Sequence, residues 1–226
     1  MPAIPAPHDG GASSGWALGA LALGAFAIGT AELMVVGVLS LIGRDQHVPA
    51  STVGQAVIAH ALGIAAGAPV MTMFTARLGR RLLLRLAQAT FVAGNILAAT
   101  ATSFGVLLAA RFITGTVHGL FIGVASVIAA SLVPSERRGQ AISMVFGGIA
   151  VSTVVGVPLG TLIGQAAGWR AAFVVVIVLA AAALAASLIF VPSVSGTGPA
   201  RLRSQAATAL APRVLAVLGI GLLLMG

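Results

Sequence analysis

An all-helical bundle of six membrane spans is the fold class this sequence predicts, and three observations predict it. Hydrophobic residues make up 59% of the 226 and charged residues 7%. A soluble domain carries about 25% charged residues, so a soluble fold of this length would lack the polar side chains to cover its surface. Apolar runs longer than ~18 residues recur along the chain, each long enough to cross a bilayer as a helix. The 12 basic residues are all arginines, gathered in short clusters between those runs.

The first fifteen residues are Pro/Gly-rich and polar, with His8 and Asp9, and predict a disordered cytoplasmic tail. The apolar stretch after them exceeds a signal-peptide core of about 7–15 residues, so no cleavage is expected. The six runs are 16–42, 52–75, 83–102, 104–133, 140–164 and 171–191. Only a helix satisfies its own backbone polar groups within one pass through lipid, so each is predicted helical. Residues 16–191 therefore form the bundle. Residues 192–212 are polar with Gly, Pro and Arg, and predict a cytoplasmic linker. Residues 213–226 begin a seventh apolar helix, roughly 20 Å long at 1.5 Å per residue against a hydrocarbon core of about 30 Å. The expectation is a chain that stops inside a helix, a fragment or truncated product of a longer protein.

The arginines orient the bundle. Arg77, Arg80, Arg81 and Arg85 follow the second run, Arg137 and Arg138 the fourth, and Arg201, Arg203 and Arg213 the sixth. Arg44 and Arg170 lie on the other side, and Arg111 lies inside a span. This positive-inside bias places the amino terminus in the cytoplasm. The basic balance is thus an orientation signal, and no nucleic-acid partner is expected. The absence of Lys beside abundant Ala, Gly and Arg points to a GC-rich bacterial genome, hence to the inner membrane.

An internal repeat runs at one offset. Gly67-Ala68-Pro69 matches Gly156-Val157-Pro158, Thr72 matches Thr161, Gly79 matches Gly168, and Arg81 matches Arg170. The first copy ends on the cytoplasmic side and the second on the outer side. Two three-helix units of inverted topology are a transporter architecture.

At these residues the chain resembles the major facilitator superfamily, and within it the drug–proton antiporter branch of chloramphenicol-resistance and arabinose-efflux exporters. The first span carries Gly29-Thr30-Ala31-Glu32 and then Gly37-Val38-Leu39. The loop after the second span carries Thr72, Ala76, Arg77, Leu78, Gly79, Arg80 and Arg81, similar to the family's G-x-x-x-D-R-x-G-R-R loop. Arg111 and Gly115 resemble its membrane arginine motif, and Gly156, Pro158 and Gly160 its antiporter motif. Gly168-Trp169-Arg170 stands where the branch has a G-W-R turn. Thr72 and Ala76 depart from the loop's Gly and Asp, which puts the cytoplasmic latch of that family in doubt here. The resemblance implies a six-helix bundle of two inverted repeats that exports small molecules, drugs or sugars, by proton-coupled alternating access. It also implies a second, carboxy-terminal six-helix half as partner. Without that half, the chain is either inactive alone or works as a homodimer.

Glu32 is the only acidic residue inside a span. A charge at the membrane centre costs roughly 2.5–3.5 kcal/mol on insertion scales, so a function or a partner must offset it. At 1.5 Å per residue, Glu32 and Arg111 lie at similar depths, and in the resembled fold their spans both line the cavity. Burial and a nearby guanidinium act on one carboxyl in opposite senses. Glu32 is therefore a candidate proton carrier with Arg111 tuning it, against a static buried salt bridge or a snorkelling carboxylate. His118 shares a helical face with Arg111 and Thr114, and is a candidate proton relay or a packing histidine. Glu32, Gln55, His60, Asn95, Arg111, Thr114 and His118 are the candidate cavity residues. For His60, Gln55 and Asn95 helix packing is the competing role. Pro158 breaks a backbone hydrogen bond, and Gly156 and Gly160 admit a close neighbour. They form either a seal against proton leak or a generic kink. Arg80 and Arg81 read as orientation anchors rather than substrate ligands.

No cysteine is present, which excludes disulfides, thiolate metal sites and cysteine nucleophiles. No H-E-x-x-H, phosphate loop, G-x-S-x-G or paired carboxylates occur. No enzyme activity, cofactor or metal is expected; the expected partners are lipid, a small-molecule substrate and protons.

Overall fold

The computed structural model describes residues 11–75 and 78–192, with side chains described for 14–49, 51–67 and 78–192. The expected tail through residue 10, Arg77, the linker beyond residue 192 and the start of a seventh helix lie outside the described residues. The described chain is helical: α1 Gly11–Gly37, α2 Leu39–Asp45, α3 Ala50–Val53, α4 Gln55–Thr75, α5 Arg80–Ala99, α6 Phe104–Ser131, α7 Arg138–Val151, α8 Val157–Ala167 and α9 Trp169–Phe190. A single π-helical turn, Ser152–Gly156, joins α7 to α8.

Five of the expected spans stand as helices long and apolar enough to cross a membrane: Ser14–Gly37, Arg80–Ala99, Phe104–Ser131, Ser135–Ala167 and Trp169–Phe190. The second expected span falls on α3 and α4, within which Ser51–Gly67 forms a shorter apolar helix. Two boundaries differ from expectation. The first helix starts at Gly11, five residues before 16, and the Ser14 hydroxyl ties it to the Leu132 carbonyl at 3.2 Å. The same span breaks at Val38 (φ −119°, ψ 10°) before α2 resumes it. The break follows Gly37, a poor helix former.

The packing follows the repeat. Helix α1 lies on α7, α8 and α9, α6 lies on α4 and α5, and α5 lies on α9. Exchanging the first three spans for the last three maps this set of neighbours onto itself, as two copies of one three-helix unit require. Small residues set the closest approaches. A Cβ at Gly115 would strike the backbone carbonyl of His60, and a Cβ at Gly156 would strike the Thr30 hydroxyl. Backbone contact between α6 and α4, and between the fifth span and α1, depends on those missing methyls.

The core is apolar, with Leu21, Ile28, Met34, Phe91, Phe121 and Phe173 almost fully buried. The outside is apolar too: Val154 is 75% and Ile189 70% exposed, and Val178, Leu162 and Leu159 stand open beside them. An apolar exterior around an apolar interior has lipid as its solvent, so the chain is a multi-pass membrane protein.

Arginines fasten both ends. Arg81 and Arg85 of α5 each donate from Nη2 to the Leu188 carbonyl in the last turn of α9, at 3.3 and 3.2 Å. Cations there satisfy carbonyls that the helix leaves unpaired. Arg81 and Arg85 are thus packing groups between α5 and α9. At the opposite end, Arg170 pairs with Asp45 at 2.9 Å and donates to the Ala101 carbonyl at 3.1 Å. The hydrogen bond from Arg170 holds the Asp45 carboxyl below its ordinary value.

Two outcomes follow from this packing. Gly115→Leu should push α6 off α4 and lower stability by about 1–3 kcal/mol, read as a lower thermal midpoint in detergent. Asp45→Asn should lower it by at most about 1 kcal/mol, because the pair is largely solvated. A lowered carboxyl pKa contributes above the unfolded value, ~3.9, and its contribution disappears as pH falls through the folded value. The wild type and Asp45→Asn should therefore differ at neutral pH, begin to converge as pH falls below about 4, and coincide only below the folded value.

Candidate proton and substrate site

Four buried polar residues, His60, Arg111, Thr114 and His118, converge where α1, α4 and α6 meet. Arg111, in the first half of α6, is 1% exposed. A buried guanidinium is tolerated only when its N–H groups are matched, and here the matching groups are backbone carbonyls of two other helices. Nη1 donates to Ala31 O at 2.9 Å, Nη2 to Glu32 O at 3.3 Å, and Nε to Ala56 O at 3.4 Å. The rigid planar fork reaches three acceptors at once, as a lysine does not. Arg111 thus clasps α1 and α4 to α6.

The expected side-chain approach of Glu32 to Arg111 takes a different form. What meets the guanidinium is the carbonyl of Glu32. Its carboxylate turns instead to His118, with Oε2 3.8 Å from Nδ1. The His118 side chain is 10% exposed and that of Glu32 34%, so the carboxylate forms the open end of the cluster. His118 Nδ1 also lies 3.4 Å from His60 Nε2. His60 Nδ1 in turn lies 3.2 Å from the Arg111 carbonyl and 3.3 Å from Thr114 Oγ1. Thr114 donates its own proton to the Arg111 carbonyl at 3.0 Å. Both neighbours of His60 Nδ1 are therefore acceptors, so Nδ1 carries the ring proton and Nε2 presents a lone pair to His118. A row of exchangeable groups results: Glu32, His118, His60, Thr114 and the Arg111 carbonyl.

Helical spacing builds this row. Arg111, Thr114 and His118 fall at i, i+3 and i+7 on one face of α6. Ala56 and His60 fall one turn apart on α4, and Gly115 brings the two backbones close enough for the rings to meet. Five of the seven candidate cavity residues are gathered here. The other two are not joined to the cluster. Gln55 is exposed at the start of α4. Asn95 is fully buried in α5, where Nδ2 donates to Phe91 O of its own helix at 2.8 Å, and among the described residues no hydrogen bond reaches its Oδ1.

The antiporter-motif residues lie across α1 from the cluster. Gly156 and Gly160 are buried against Thr30 and Met34, two residues either side of Glu32. Pro158 sits exposed in the first turn of α8. The missing proline N–H is absorbed in the π-helical turn just before it, a known site of helix distortion. Of the loop motif, Gly79 caps α5 in extended conformation, and Arg80 and Arg81 open that helix.

The carbonyls of Ala31 and Ala56 carry no side-chain signal and were invisible in the sequence. Asp45, the partner of Arg170, lies 125 residues away in the sequence, and no motif marks it. Arg111→Leu should release α1 and α4 together and lower stability by roughly 1–3 kcal/mol. Arg111→Lys keeps the charge but reaches fewer carbonyls, so its thermal midpoint in detergent should fall between those of Arg111→Leu and the wild type.

A family model described as Major Facilitator Superfamily matches residues 21–226. The MFS-type transporter YtbD of Bacillus subtilis (strain 168) is 46% identical over 177 residues, covering 78% of this chain and 45% of that protein. A chloramphenicol resistance protein of Streptomyces lividans is 35% identical over 199 residues, 86% of this chain and 51% of that protein. The chain spans about half the length of the curated relatives it matches. Among solved structures, the proton:xylose symporter XylE bound to 6-bromo-6-deoxy-D-glucose superimposes with a TM-score of 0.71 at 19% identity, over 80% of this chain and 45% of that one.

Proposed function

Because this chain belongs to the major facilitator superfamily, we propose that it forms one six-helix wall of a proton-coupled exporter of small molecules, with Glu32 as the proton carrier. The observation that carries the reading is the row from Glu32 through His118 to His60, buried inside a membrane bundle. Ionisable groups in spans are expensive, and proton relays are among the few functions that retain them. Glu32 is half-open, with the His118 imidazole nearest to it and the Arg111 charge also acting on it, so its proton has a path in and a titratable ring beside it.

In this reading, Arg111 fixes α1 and α4 on α6 through backbone carbonyls and tunes the Glu32 carboxylate by its charge, without a direct hydrogen bond to it. Protonated Glu32 carries no charge and permits the occluded or outward arrangement. Loss of the proton restores the charge and draws His118 toward it. A static salt bridge would consume the carboxylate, which the 3.8 Å separation and the open end of the cluster disfavour. The chloramphenicol resistance relative supports a drug-like substrate, and the sugar named for the symporter supports a sugar. The chain acts with a second six-helix half, in a bacterial plasma membrane with its amino terminus in the cytoplasm.

Glu32→Gln in the full-length protein, reconstituted in vesicles, should lower pH-gradient-driven export by at least about tenfold, the scale on which positioned proton-transfer groups act. Exchange without a gradient should persist. Unchanged gradient-driven export would defeat the proposal.

A further inference from the structure

We propose that Glu32, His60 and His118 form a binding site for a divalent transition cation of the zinc class. The three come from α1, α4 and α6, and each offers one ligand atom, all within 4.8 Å of one another. Two edges of the triangle are 3.4 Å, from His60 to His118, and 3.8 Å, from His118 to Glu32. These two edges are near the roughly 3.3–3.6 Å that separates donors bound at ~2.0–2.2 Å to a tetrahedral zinc.

The surroundings suit a metal ligand beyond the distances. A metal-bound histidine holds its other ring N–H on a carbonyl or hydroxyl, which fixes the tautomer and aims the lone pair. His60 has that arrangement: Nδ1 is committed to the Arg111 carbonyl and Thr114 Oγ1, and Nε2 points at His118. His118 needs only to carry its proton on Nε2 for Nδ1 to become a ligand. Glu32 supplies the negative charge at the open end, where an ion enters and where water or an anion completes a fourth position. Two imidazoles select zinc, cobalt or nickel over magnesium and calcium, which take oxygen ligands. The buried Arg111 guanidinium opposes a second cation nearby. Its N–H groups are spent on the carbonyls of Ala31, Glu32 and Ala56, so it lends no donor to the site, while its charge weakens cation binding there.

The site does not rest on proton coupling, since it requires only three donors in place. Zinc is the probe. The chain lacks cysteine, so no thiolate competes, and His47, the other described histidine, lies outside the cluster. Zinc titrated calorimetrically into the purified full chain in detergent should bind once per chain. Cobalt at the same site should show the intense visible bands of a four-coordinate nitrogen and oxygen site. Glu32→Gln, which removes no packing group, and His118→Gln should each weaken zinc by at least about tenfold, the scale of supporting-shell losses. His47→Gln should leave it unchanged, and about a hundredfold excess of magnesium should not displace it. Wild-type zinc binding that survives in both Glu32→Gln and His118→Gln, or that depends on His47, overturns the site. So does its absence from the wild type. If zinc fails to bind while Glu32→Gln abolishes gradient-driven export, the metal site falls and the proton reading stands. If zinc binds while export in Glu32→Gln is unchanged, the reverse holds.

Discussion

One buried guanidinium holds three helices together. Arg111 cannot stay charged in an apolar interior unless its donors are matched, and the acceptors it finds are the carbonyls of Ala31, Glu32 and Ala56. Those carbonyls lie on the first and second spans, and Arg111 on the fourth. The clasp therefore fixes the place where the two three-helix units meet. It also decides what Glu32 is free to do, because the arginine takes the backbone of that residue and leaves its carboxylate to face His118.

The close packing of small residues serves the same junction. Gly115 allows the fourth span to touch the backbone of the second at His60, which brings the two imidazoles to hydrogen-bond distance. Gly156 and Gly160 do the like on the far side of α1, against Thr30 and Met34. Helix α1 is thereby held from both faces around Glu32. A proton or cation arriving at the carboxylate meets a helix that is gripped by Arg111 on one side and by the fifth span on the other.

Much of this was legible in the sequence because lipid imposes simple rules. Runs of apolar residues must be helical, arginine clusters mark their ends, and the Gly-x-Pro repeat shows two units of one design. Glu32, Arg111 and His118 were visible because a charged or titratable group in such a run is rare. The details that escaped depend on backbone rather than side-chain identity. Nothing in an alanine announces that its carbonyl accepts from a guanidinium. The turn of the Glu32 carboxylate toward His118 rather than Arg111 follows from that hidden bond. The break at Val38 and the π-helical turn before Pro158 are likewise local backbone solutions to packing against a neighbouring helix, which one chain's pattern does not encode. His60 reads alone as a packing residue, and only its juxtaposition with His118 gives it a chemical role.

The central claim is that Glu32 takes up and releases a proton inside the bundle. Infrared difference spectroscopy of the full-length protein in membranes tests it most directly, comparing samples at successive pH values. The account predicts a protonated-carboxyl band that appears on acidification and is missing from the Glu32→Gln spectrum. A spectrum with no such band, or one in which the band survives that substitution, would contradict it.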